Sequence, residues 1–400
     1  MKKLITLTFV LLLLLSLSSM ATDTRVMTMG DNNNVLLDDA NIWLYPSRTF
    51  EYPNLAIGEF SNYSSETFNQ FGIHWKFGTD NPFVLGTYFT TLPATYPTNL
   101  MGGNIVPFDF SLLQNRRIDL FYGRVISNYN FGMHFSLTHS SQIHELTTPA
   151  VDNQIESFGY YNFDVGLTPT TDKWDVAVAF GIGTWTDESA SGGTQTEPDG
   201  FYDFSLMGRY FIANGPNYTF IPHVGFDYAK HGIKNYNLNG DLTDLDNNTQ
   251  YTRTVFDIGT GLNYTPATNV LGVFDFGFKY DYWKQEVDVP TPVQENTITN
   301  TIVPYFKIGL DADVFKWMDI RLGATSNWTY ETDEYKQPAN NKWKYRYADN
   351  ETYLGFGFHW NRLNVDTYTD PQLFLNGFDF ISGNGDGDMN FRISASYEMK

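Results

Sequence analysis

The stretch Phe274-Asp275-Phe276-Gly277-Phe278-Lys279-Tyr280-Asp281-Tyr282 sets an aromatic ring at every second position, with a small or charged residue between. A strand turns successive side chains to opposite faces, so this run has one aromatic face and one polar face. A helix would scatter the same rings around its whole circumference. The period of two returns along the chain. Phe71, Ile73, Trp75 and Phe77 alternate with Gln70, Gly72, His74 and Lys76, and Phe306, Ile308 and Leu310 with Lys307, Gly309 and Asp311. Met318, Ile320, Leu322 and Ala324 alternate with Asp319, Arg321, Gly323 and Thr325, and Leu354, Phe356, Phe358 and Trp360 with Tyr353, Gly355, Gly357 and His359. The pattern predicts strands over 53–62, 67–78, 82–91, 117–127, 130–140, 156–168, 174–185, 201–213, 218–230, 251–265, 270–284, 300–313, 317–330, 351–361, 363–369 and 390–399.

Alternation alone fits a soluble sandwich as well, with the aromatic face as its core. The connections separate the two. Links after even-numbered strands are brief: Thr79–Asn81, Ser127–Tyr129, Pro169–Lys173, Asn214–Asn217 and Pro266–Asn269. Links after odd-numbered strands from the third onward are long: 92–116, 141–155, 186–200, 231–250, 285–299, 331–350 and 370–389. Short turns on one side and long loops on the other are the habit of outer-membrane barrels, whose turns face the periplasm. Strands of ten or more residues suit a tilted bilayer crossing, which takes roughly 9–11. The expected fold is therefore all-β: a transmembrane antiparallel up-and-down barrel of about sixteen strands. The count becomes fourteen if a hairpin involving the first strand or the brief 363–369 strand is false.

Composition agrees. Of 400 residues, 17% are aromatic and only 18% charged, at a formal charge of −20. That balance excludes a disordered acidic chain, which lacks rings, and a nucleic-acid binder, which needs a basic face. With no Cys, neither disulfides nor thiolate metal sites are available. Met1-Lys2-Lys3, the apolar Leu4–Leu17 and Ser19-Met20-Ala21 read as a secretory signal peptide over 1–21. Removing it takes Lys2 and Lys3 and moves the charge from −20 to −22.

Between this leader and the first strand lies Met29–Ser47, MGDNNNVLLDDANIWLYPS, the part of the remaining chain that reads as short helix and tight turn. Asp38 and Asp39 suit a helix start and Pro46 a stop. Leu36, Ile42 and Trp43 give each turn a buried side. With no long amphipathic helix elsewhere, this segment has only β-structure to pack on. Gly30, Leu36-Leu37, Asp38-Asp39-Ala40 and Tyr45-Pro46-Ser47 resemble the N-terminal signature of the FadL/PorV-like outer-membrane barrels. In that family an acidic pair before Ala and an Asn-Pro-Ala-like triplet form a hatch inside the barrel; here Tyr45 stands for Asn and Ser47 for Ala. The chain is expected to divide into three parts: a signal peptide at 1–21, a plug or hatch at 22–52 and a barrel at 53–400. The resemblance implies plug roles for Leu36, Asp38, Asp39, Ile42, Trp43 and Pro46. The family has fourteen strands, where the reading of this chain gives sixteen.

On the polar phase, Asp257, Asp275, Lys279, Lys307, Asp311, Asp319 and Arg321 come from four consecutive strands and line one wall of the lumen; Asp203, Arg209, His223, Asp227 and His359 share that phase. They either set a preference among solutes or simply pair with one another and with the plug. Pairing is the plainer reading. A mixed wall fits neither a strongly ion-selective channel nor a wholly greasy tunnel. His134, His139, His144 and Glu145 lack the i, i+2 spacing of strand metal ligands, so no metal site is assigned. Asn237-x-Asn239-x-Asp241 with Asp244 and Asp246, and Asn384-Gly385-Asp386-Gly387-Asp388, are turn-rich loop segments with divalent-cation binding as the alternative. There is no Gly-x-Ser-x-Gly elbow, and no catalytic residue or cofactor is expected. Trp75, Trp174, Trp185, Trp283, Trp317, Trp328 and Trp360, near strand ends, suit the membrane–water interface.

The expected partners are outer-membrane lipid and a small solute, with oligomeric state left open. The expected role is porin-like passage past an N-terminal hatch. The alternatives are a carrier of hydrophobic molecules, using an apolar pocket at Leu36, Ile42 and Trp43, and a closed barrel that docks a secreted or surface partner.

Overall fold

The computed structural model describes residues 22–63, 66–92, 115–144, 154–188, 194–237, 248–288, 294–336, 341–369 and 391–399. These form a closed antiparallel barrel of 16 strands. In chain order they are β1 Leu55–Tyr63, β2 Glu66–Phe77, β3 Phe83–Leu92, β4 Asn115–Ile126, β5 Tyr129–His144, β6 Gln154–Pro169, β7 Trp174–Glu188 and β8 Thr194–Tyr210, which continues at Ile212–Ala213. There follow β9 Tyr218–Asn237, β10 Asn248–Ala267, β11 Val270–Asp288, β12 Gln294–Phe315, β13 Met318–Tyr335, β14 Asn341–Trp360, β15 Leu363–Thr369 and β16 Phe391–Glu398. Each strand pairs with the next, and β1 closes on β16 from Leu55↔Glu398 to Asn62↔Phe391. The first strand and the 363–369 strand are both real, so the count is sixteen rather than fourteen. The leader at 1–21 and the loop segments 238–247 and 370–390, which hold nearly all the divalent-cation candidates, lie outside the described residues.

The strands run further toward the long-loop side than expected: β12 begins at Gln294 rather than 300, and β14 at Asn341 rather than 351. The added end of β12 is polar (Gln294-Glu295-Asn296-Thr297-Ile298-Thr299), so it carries no greasy alternation to read; that of β14 does alternate, Trp343, Tyr345 and Tyr347 with Lys344 and Arg346, but on the opposite phase to Phe356 and Phe358. Backbone pairing needs no lipid, and the ladder simply continues. At about 3.3 Å per residue, the 22 residues of β12 far exceed a hydrocarbon layer of about 30 Å.

The faces sort as the alternation requires. Phe276 is 42% exposed on the outside while its neighbour Asp275 is 1% exposed on the inside. Outward rings meet across strands, for example Phe276 and Phe306 at 5.3 Å. Such pairs add about 0.5–1.5 kcal/mol beyond burial in soluble settings.

Inside the barrel lies the N-terminal segment. It holds a helix, α1, at Asp23–Thr28, and two 3-10 turns at Asp39–Trp43 and Pro46–Glu51. The helix precedes the stretch read as helical; at six residues it has too few apolar positions to show a period. Asp38 does start a turn. Its Oδ1 accepts from the Ala40 N–H at 3.1 Å while the Asp38 N–H donates to Asn41 Oδ1 at 3.0 Å, a reciprocal capping box. Pro46, expected as a stop, opens the second turn instead. A fixed φ suits the first helical position as well as it ends a preceding one, and sequence does not separate the two.

Candidate functional site

The described core of the molecule is the contact between this inner segment and the wall. Val26, Met29, Val35, Leu36 and Ala40 pack on Ile221 and Val273. Ile42 packs on Leu55, Ile57, Tyr88 and Phe121, and Tyr45 on Ala177 and Met207. Trp43 stands among Tyr88 at 5.0 Å, Phe121 at 4.9 Å and His134 at 5.5 Å, with the Arg117 guanidinium 5.0 Å over its ring. Leu36 therefore belongs to a different apolar cluster from Ile42 and Trp43.

Glycines on the wall set how close the segment comes. Gly123, Gly132 and Gly166 sit side by side in the register of β4, β5 and β6. A Cβ on any of them would press on the backbone of 46–50. Gly309 and Gly323 are paired on β12 and β13, and there Met29, Gly30 and Thr28 pass just as closely. All lie near the short turns, so the segment fills the short-turn half of the barrel.

Charge fixes it in place. Arg25 Nε and Nη1 reach Asp311 and Asp38, each at 3.1 Å. Arg48 forks onto Asp175 at 3.0 and 3.1 Å and also meets Glu51 and Asp172 at 2.8 Å. Arg209 bonds Asp175 at 2.7 Å and donates to the carbonyls of Asn33, Asn34 and Leu36 at 3.0–3.2 Å. Lys307 Nζ donates to the Asp31 carbonyl at 2.7 Å, and Arg392 meets Asp23 and Glu59. Arg321, with no exposed surface, gathers Asp311, Asp319 and Asp366 around itself.

The structure thus places every residue of the predicted wall on the lumen side and joins most of them in pairs. Asp275 meets His223 at 2.9 Å, Asp257 accepts from the Tyr305 hydroxyl at 3.0 Å, Asp319 meets His359 at 2.5 Å, and Lys279 stands opposite Asp257 in the register. His134 lies between Asp164 at 2.5 Å and Asp119 at 3.0 Å. Asp311, Asp313 and Asp319 bring oxygens within 4.8 Å of one another, but Arg25 and Arg321 already hold two of the three. Within the inner segment, burial and the adjacent Asp38 push the Asp39 carboxyl well above the carboxylate range, and burial pushes the Tyr45 phenol up to about 12.

Sequence reasoning missed Arg25, Arg48, Asp175, Glu59 and Asp366. Strand parity marks Asp175, Glu59 and Asp366 as inward; nothing local marks the two arginines. Trp283, grouped with the interface tryptophans, is on the lumen phase, 5.7 Å from Tyr251. Parity counted from Phe274 gives that placement.

No protein-family model matches the chain, and no curated protein matches it. Among solved structures it is similar to the toluene transporter TodX of Pseudomonas putida, with 9% identity, a TM-score of 0.40, and 95% of this chain and 98% of that one covered. It is similar also to the toluene transporter TbuX of Ralstonia pickettii, with 8% identity, a TM-score of 0.38, and 95% and 97% covered. A third is the ferric yersiniabactin uptake receptor FyuA of Yersinia pestis, with 8% identity, a TM-score of 0.39, and 87% and 81% covered.

Proposed function

We propose that this chain is a bacterial outer-membrane barrel that passes small solutes, with residues 22–52 as a hatch at its short-turn end. The exposed apolar outer face supports the membrane placement, and the sorting of short and long connections supports the orientation. The observation that carries the reading is how the segment is held. Much of its attachment is through guanidinium pairs and carbonyl hydrogen bonds, contacts that water or a polar solute can replace. A lumen sealed only for stability has no use for so many buried ions, since well-packed apolar side chains serve that purpose as well.

A second reading, carriage of a hydrophobic molecule, is favoured by the ring cluster around Trp43, where an apolar guest would find Tyr88 and Phe121 beside the hatch.

The test uses the absence of native Cys. Ser47 Oγ and Thr168 Oγ1 are 2.8 Å apart, so Ser47→Cys with Thr168→Cys places one disulfide between hatch and wall. In a planar bilayer the reduced barrel is expected to show ohmic steps that shrink or vanish on oxidation. Equal currents in both states overturn the hatch. An inserted barrel silent in both states overturns passage and leaves the carrier reading, which toluene uptake into vesicles then decides.

A further inference from the structure

On β14 the facing rule inverts at the long-loop end, while on β13 beside it Trp328 and Tyr330 stay outward. Nearer the short turns, outward positions are apolar (Leu322, Phe356, Phe358) and inward ones small or ionised. The pairing continues without a slip from Met318↔Phe358 to Tyr335↔Asn341, so parity is preserved. Beyond Tyr353 and the carboxylates Glu351 and Asp349, however, the inward positions are Tyr347, Tyr345 and Trp343, exposed by 49%, 45% and 44%, while Lys344 and Arg346 face outward. Rings two residues apart on one strand stand roughly 6.6–7 Å apart, a ladder of open aromatic faces. Tyr335 buttresses it edge-on to Trp343 at 5.2 Å.

Beside the ladder lie Asn296 and Asn300 on β12 and Asp333 on β13. Register places Asn296 opposite Tyr335, Asn300 opposite Glu331 and Asp333 opposite Trp343, all on the inward phase. The Oδ1 atoms of all three are shielded from solvent, and none meets a hydrogen-bond donor among the described residues. Shielded acceptors without donors are costly and rare.

The two features together narrow the ligand. Open ring faces call for a flat apolar surface, which a hydrocarbon offers, but a hydrocarbon leaves the acceptors unmet. An anionic ligand meets Glu331, Asp333 and Asp349 on the same face. A sugar ring has a flat C–H face and hydroxyl donors at its edge. We infer that this corner of the long-loop rim binds a neutral oligosaccharide, with Trp343, Tyr345 and Tyr347 stacking sugar rings and Asn296, Asn300 and Asp333 accepting from hydroxyls. The inference does not depend on solute passage; a closed barrel would carry the same site.

The experiment uses residues 22–400, refolded in a detergent without sugar headgroups and titrated with glucose, mannose and xylose hexamers by calorimetry and tryptophan fluorescence. At least one hexamer should bind saturably. Trp343→Ala should weaken it about tenfold or more, as removal of a binding hot spot does. Trp343→Phe should restore much of the affinity, and Asn296→Ala with Asn300→Ala should weaken it further. Trp328→Ala, outward and 51% exposed, should leave binding unchanged. No binding by any hexamer up to about 10 mM, far weaker than a functional site, overturns the inference. So does binding indifferent to Trp343→Ala, or displacement of the bound hexamer by toluene.

Discussion

Gly132 is the tightest point between wall and inner segment at the second turn. An added Cβ there would overlap the Pro46 carbonyl and the Ser47 nitrogen, atoms of the backbone itself. Relief requires strand β5 or the segment to give by more than about 1 Å, and overpacking of this kind costs about 1–3 kcal/mol. Ser47 leads directly into Arg48, whose fork onto Asp175 at 3.0 and 3.1 Å tolerates no such shift. If the fork breaks, an uncompensated buried charge adds about 3–5 kcal/mol. Gly132→Ala is therefore expected to lose from ~1 kcal/mol, if the wall yields, to ~5 kcal/mol, if the arginine is stranded. Gly166→Ala, with Ser47 N at 2.9 Å, should fall at the low end of that range. Gly58→Ala, whose nearest neighbour is the Phe60 ring at 3.8 Å, should stay within about 0.5 kcal/mol of the parent. Urea titration in lipid vesicles, followed by tryptophan fluorescence and heat-modifiable gel mobility, measures all three. Equal stability of the Gly132→Ala and Gly58→Ala barrels would refute the close fit on which the proposed hatch rests.

Arg321→Met strands Asp311, Asp319 and Asp366 with one cation fewer among them and should cost about 3–5 kcal/mol in the same titration; Arg321→Lys should recover only part of it, because one ammonium cannot fork to three carboxylates. Phe276→Asp, on the lipid face, should cut the folded yield sharply, whereas Asp275→Asn, which still offers His223 an acceptor, should be tolerated; equal yields would refute the face assignment. Burial raises the Asp39 value in the fold above its unfolded one. Its contribution is thus fully present below the unfolded value and lost as pH rises through the folded value. Asp39→Asn should leave stability near pH 4 little changed and raise it at pH 8, and an unaltered pH profile would show the carboxyl to be solvated.

Parity and turn chemistry are properties of a few neighbouring residues, and they carried most of the fold. Phe274 to Tyr282 already assigns one face to lipid and one to the lumen, because successive side chains of a strand cannot share a face. The short links follow from Gly, Asn and Pro over a few positions. What the alternation hid was the length of β12 on the loop side, where Thr and Asn keep the backbone pairing with little greasy signal. Trp343, Tyr345 and Tyr347 do alternate with Lys344 and Arg346, but on the opposite phase to Phe356 and Phe358, and they lie inside a segment read as loop.

The candidate site divides the same way. That Asp311, Asp319 and Arg321 face the lumen is decided by the sequence, through strand parity. That Asp311 meets Arg25 was decided by tertiary structure, since 286 positions separate the two. The same holds for Arg48 with Asp175 and Arg321 with Asp366. Local sequence sets the direction of a side chain because covalent geometry alternates; it does not set the partner, because a partner is chosen only when the barrel closes around the segment and brings distant strands to one level.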